Sequence, residues 1–170
     1  MIYPPNIIID FKVNTVNKDF TLKWSGHDHG IKEFEKEKQC LILLEKNFIN
    51  EPKINHFPFP KIIECKHLNI TMTYCGESLK VIEKKQRKNK IETRQWLADV
   101  FDYNKLYNTI ECIINNLVKN NIRHKDINKK NLCIDKNYNI HLIDFEFSKL
   151  QDHDWDPEVE KIKMLSWFNL

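Results

Sequence analysis

Two acids and one side-chain amide stand out for their type and spacing: Asp126, Asn131 and Asp144. They lie in Ile122-Arg-His-Lys-Asp-Ile-Asn-Lys-Lys-Asn-Leu-Cys-Ile134 and Leu142-Ile-Asp-Phe-Glu146. A carboxylate that accepts the proton of an attacking hydroxyl, beside oxygen ligands for a hard cation, is the minimum that phosphoryl transfer asks of a protein. Asp126 supplies the first requirement. Asn131 and Asp144 supply the second, provided the chain brings them together.

The flanking pattern predicts that it does. Residues 132–134 and 140–143 are apolar and read as short strands around a polar turn at 135–139, a hairpin that sets Asp144 beside Asn131. Upstream, Leu106, Ile110, Ile113, Ile114, Leu117 and Val118 form the stripe of an amphipathic helix with Asn104 as its cap. The Asp156-Pro157-Glu158 triplet starts a last helix running to about Phe168. The N-terminal part reads differently. Strands are expected at residues 7–13, 20–24, 61–65 and 69–74, with a helix over 31–46 whose apolar face includes Ile31, Phe34, Leu41 and Leu44. Three prolines, Pro52, Pro58 and Pro60, mark an irregular link, and residues 91–101 read as helix. The order suggests an α+β fold with a boundary near Gly76.

Composition narrows the class. A chain of 170 residues, 41% hydrophobic and 11% aromatic, is long enough for one core and too apolar for disorder. Its net charge of +3 is too small to imply a nucleic-acid binder. Five dispersed cysteines form no C-x-x-C pair, so neither a zinc site nor a disulfide framework is expected. With no signal-like start and no membrane-length apolar run, the expectation is a soluble, intracellular protein without a membrane partner.

The His124-Lys125-Asp126 triplet followed by Asn131 resembles the protein-kinase catalytic loop (H-R-D-x-x-x-x-N), and Asp144-Phe145 resembles its metal motif (D-F-G). The resemblance runs from about Lys23 to Glu146. It implies ATP and Mg2+ as cofactors, Asp126 as catalytic base, and Asn131 and Asp144 as metal ligands. Lys23 resembles the strand lysine that meets the nucleotide phosphates, with Lys12 as a rival. Glu37 resembles the helix glutamate that pairs with that lysine, preferred over Glu33 and Glu35 because Leu41 and Leu44 then face inward. Met72 falls at the back of the nucleotide pocket, and the backbone of Thr73 and Cys75 falls at the adenine edge. Leu41, His124 and Phe145 match an internal apolar column, which makes His124 a core histidine rather than a catalyst. The implied architecture is a two-lobed protein-kinase-like fold. Residues 1–75 are a β-rich lobe with one helix, and 76–170 are a truncated, mainly helical lobe.

Departures from the pattern set the rival readings. Glu146 stands at the glycine of the metal motif, a variant similar to the choline-kinase and aminoglycoside-phosphotransferase relatives. Lys125 replaces an arginine, and Asn128 stands where a phosphate-contacting lysine is common, with Lys129 and Lys130 adjacent. A glycine-rich phosphate loop is missing ahead of Gly26. The resemblance therefore implies a minimal serine/threonine protein kinase acting on a protein substrate. The rivals are a pseudokinase or decoy that binds a partner kinase, and a small-molecule kinase. The basic run 84–90 reads as a solvated face or as a docking patch for an acidic partner or nucleic acid.

Overall fold

The computed structural model describes residues 19–90 and 92–168; the strand expected at 7–13 and Lys12 lie outside them. The first unit is an antiparallel sheet in the order β1-β3-β2, made of β1 (Asp19–Lys23), β2 (Ile62–Lys66) and β3 (Asn69–Thr73). In the β1–β3 register position 22 pairs with 70 and position 20 with 72, setting Leu22 opposite Ile70. Residues directly opposite share a face, so the face holding buried Ile70 and Met72 also carries Leu22. Thr21 and Thr71 lie on the other face, their hydroxyls 2.7 Å apart.

Between β1 and β2 runs α1 (Asp28–Lys46), three residues longer at its start than the periodicity predicts. Ile31, expected on the apolar face, is exposed, whereas Gly30 is buried. A Cβ at Gly30 would lie 2.3 Å from the Ser25 hydroxyl, so only glycine lets the first turn close on the preceding loop. Phe34, Cys40, Leu41 and Leu44 form the inner stripe, and Glu37 sits within it.

The proline-bearing link, with a cis Glu51–Pro52 bond, crosses the molecule held by hydrogen bonds rather than by regular pairing. The side chain of Asn116 accepts from Ile49 N and donates to Ile49 O, both at 2.8 Å. Leu142 N donates to Pro58 O at 3.0 Å. These bonds satisfy backbone groups that an irregular buried segment would otherwise leave unpaired.

Past Gly76 the chain forms β4 (Glu77–Ser78), α2 (Leu79–Lys88), α3 (Thr93–Val100) and α4 (Tyr103–Lys119). It continues through β5 (Ile122–Arg123), β6 (Leu132–Ile134), β7 (Ile140–Leu142), β8 (Lys149–Leu150) and α5 (Pro157–Ser166). The basic run 84–90, read as a solvated face, is exposed at Lys84, Arg87, Lys88 and Lys90, and its first five residues form the second half of α2, a helix capped by Ser78 Oγ accepting from Val81 N. Its inward positions are Leu79, Ile82 and Gln86. The α4 cap is Asp102, which accepts from Lys105 N at 3.1 Å, not Asn104. The expected stripe on α4 is buried except for Val118, which is exposed. Asp156 caps α5 as expected. Phe168 is buried, and Trp155 and Trp167 are half-buried against the core.

The predicted hairpin forms, with Leu132 opposite Leu142, and β4 adds to its edge. The architecture is α+β with small antiparallel sheets. One apolar core runs through residues on both sides of Gly76, from Phe34 to Phe168. Among the described residues no helix is long and apolar enough to cross a membrane.

Candidate active site

The loop from His124 to Asn131 is built on a buried histidine. His124 Nδ1 accepts from Asp126 N at 3.1 Å, so its proton sits on Nε2, which donates to Ile143 O at 2.8 Å. Burial pushes its pKa down to about 4, keeping the ring neutral. The imidazole thereby ties the loop to the end of β7. Its ring meets Phe145 edge-on at 4.8 Å, and Phe145 meets Phe59 at 6.0 Å. Leu41 is buried in the same core.

The Asp126 carboxylate is held from two sides. Asn128 Nδ2 donates to Oδ1 at 2.8 Å and Asn131 Nδ2 donates to Oδ2 at 3.0 Å. Asn131 Nδ2 also bonds Asp126 O at 2.8 Å, so the amide oxygen is the atom that Asn131 could offer a cation. Ile143 N donates to Asn131 O at 2.9 Å, which fixes Asp144 one residue beyond that tie. Asp144 and Lys125 both adopt left-handed backbone, φ 65° and 70°. Such conformations cost a non-glycine residue about 1–2 kcal/mol and persist where surrounding bonds impose them.

Charge concentrates here. Asp144 is raised to about 6, first by burial and then by Glu146, with Asp126 adding and Lys130 opposing. Glu37, fully buried, is raised to about 8 by burial and by Asp144. One Glu37 oxygen accepts from Phe145 N and the other has no hydrogen-bond partner. Trp24 Nε1 donates to Glu146 Oε2 at 2.9 Å, joining the end of β1 to the same turn. The neighbouring acids Asp144 and Glu146, whose charges already oppose each other, suit a cation at this turn. Among the described residues no three His, Cys, Asp or Glu side chains converge as a metal-holding group. Asn131 and Asp144 could supply two oxygen ligands to a cation such as Mg2+, which commonly takes its remaining ligands from phosphate and water.

The upstream residues fall less neatly. Lys23 is exposed and opposite Asn69, on the sheet face away from Met72. It makes no ion pair with Glu37, because strand alternation turns inward Leu22 instead and the Glu37 carboxylate lies at Phe145 N. Met72 is buried. Thr73 N donates to Lys61 O, so that amide is already committed. Cys75 is buried, its thiol pushed well up by burial and directed at Thr73 O. Lys129 is bound to Glu83 at 2.6 Å, and Lys130 is the neighbouring cation whose charge reaches Asp144.

Sequence reasoning missed the Trp24–Glu146 bond, the Asn128 clamp and the Glu37–Phe145 tie. The first and last join residues far apart in the chain; the Asn128 clamp was signalled by the loop's density of asparagine. Beside Asp126 opens a cleft of about 500 Å3, with Lys125, Asp126 and Asn128 on one side and Trp155, Val159 and Lys163 on the other. Comparison with protein-family models and with curated proteins returns no match.

Proposed function

We propose that the chain is an ATP- and Mg2+-dependent phosphotransferase, a minimal serine/threonine-protein-kinase-like enzyme. The observation that carries this reading is the tie of Asn131 to both neighbours: it bonds the Asp126 carboxylate through its side chain and Ile143, the residue before Asp144, through its backbone. The two-lobed arrangement that the resemblance implies is consistent with a three-stranded sheet and α1 before Gly76 and mostly helices after it.

Asp126 orients the acceptor hydroxyl and takes its proton, its carboxylate held still by Asn128 and Asn131 so that little reorganisation accompanies the step. Asn131 and Asp144 would hold Mg2+, which when bound would neutralise charge on the transferring phosphate. Lys130 adds a cation at the same turn. The half-open cleft between Asp126 and Trp155 gives an acceptor side chain a route to the base. The resemblance would set the adenine near Met72 and Cys75. Purified protein with Mg2+ and labelled ATP should phosphorylate itself or a generic protein substrate, and Asp126→Asn should reduce transfer by about 100-fold or more. Unchanged transfer in that variant would remove Asp126 as base.

A pseudokinase or decoy that binds a partner kinase is the second reading, favoured by one observation: Lys23 faces away from Glu37, which instead holds Phe145 N. Mg2+-ATP at about 100 times Kd stabilises a protein by ~2.7 kcal/mol. A melting shift of that size that Asp144→Ala abolishes supports nucleotide use. No shift at millimolar ATP supports the decoy.

A further inference from the structure

The cations of α2 are more numerous than its stability requires. Basic residues in the last turn, Arg87 and Lys88 among them, complement the negative end of the helix dipole. Lys80, in the first turn, opposes it, and that turn carries no acid. The nearby acids are already used: Glu77 is paired with Lys85 and Glu83 with Lys129, both at 2.6 Å. Lys80, Lys84, Arg87 and Lys88 are exposed, and none of the four is ion-paired among the described residues. Lys80, Lys84 and Lys88 recur every fourth position and so form one stripe along the helix, spaced about 6 Å apart by the helical rise.

Beside this stripe lies a groove of about 540 Å3, lined by Tyr74, Glu77, Ser78, Val81, Lys84, Lys85 and Lys88, with the Glu77 charge offset by its pair with Lys85. Val81 is 42% exposed, an apolar β-branched side chain beside the three lysines of the groove. The groove is distinct from the cleft at Asp126, sharing none of its lining residues.

We propose that this groove docks an acidic polypeptide segment, its carboxylates pairing with Lys84 and Lys88 and one apolar side chain seating between Tyr74 and Val81. An extended strand advances about 3.3 Å per residue, so alternate side chains recur at about the 6 Å spacing of the lysines. Charge complementarity selects a polyanion, and the lining decides which kind. Single-stranded nucleic acid is bound on several aromatic platforms in succession, and Tyr74 is the one aromatic among these lining residues. The inference does not depend on phosphotransferase activity.

A fluorescein-labelled peptide of alternating glutamates around a central phenylalanine is the probe, followed by anisotropy at several salt concentrations. Binding should weaken with salt, and Lys84→Glu with Lys88→Glu should weaken it by roughly tenfold or more. Serine in place of the phenylalanine should weaken binding to the native protein but make no difference to Val81→Ser. Circular dichroism checks that the variants fold; should the double reversal unfold, Lys84→Gln with Lys88→Gln must weaken binding in the same direction. Absence of peptide binding, indifference to the lysine changes, an unaltered phenylalanine preference in Val81→Ser, or tighter binding of an oligouridylate of equal charge would each overturn the proposal.

Discussion

Glu37 shows how one buried group can carry a measurable signature. A carboxyl placed among Leu41, Leu44 and Phe145 loses its hydration and gains one backbone donor in return. Its pKa rises from 4.5 to about 8. Between those values the unfolded chain releases the proton while the folded chain keeps it, so stability falls as pH rises through that window and levels off above it. Glu37→Gln cannot titrate. The melting temperature of the variant relative to the native chain should therefore climb from about pH 4.5 to about pH 8, by an amount equivalent to a few kcal/mol. A gap that does not change with pH would mean the carboxyl is solvated. Asp126, Asn131 and Asp144 were legible in the sequence because a short loop and a hairpin bring them together, a local matter. Lys23 was not, since its direction depends on the register between β1 and a strand much later in the chain.

Among the elements, β4 and α2 show where pattern reading fails and why. The inward positions Leu79, Ile82 and Gln86 have helical spacing, but a glutamine at the third and lysines all around hide the periodicity. The hairpin β6–β7 was legible because every one of its strand residues is buried and apolar or nearly so. Gly76 marks the approach of the two regions. Its φ is +100°, and a Cβ there would lie 2.1 Å from Ile134 O, a backbone atom that cannot swing aside. Gly76→Ala should cost about 2 kcal/mol or more, lowering the melting temperature by roughly 4 °C or more for a domain of this size. Thermal denaturation followed by circular dichroism measures it. A loss much smaller than that would show that β4 and β6 separate readily.

At the scale of the molecule, the apolar core is continuous across Gly76, joining Leu41 and Met72 to Ile110, Leu132 and Met164. Two regions sharing one core should not melt independently. Far-ultraviolet and near-ultraviolet circular dichroism should trace one coincident unfolding transition in denaturant, and two separated midpoints would refute a shared core. This continuity was only partly legible. The boundary near Gly76 could be read from the change in pattern, but the irregular link that seats Phe59 against Phe145 and gives Pro58 O to Leu142 carries no periodic signal. The Trp24–Glu146 bond has a further use. Because that indole N–H ends on an acid of the anionic turn, its excited state senses the local field. A cation arriving beside Asp144 would alter the colour and yield of its emission, giving the chain an internal optical gauge of site occupancy.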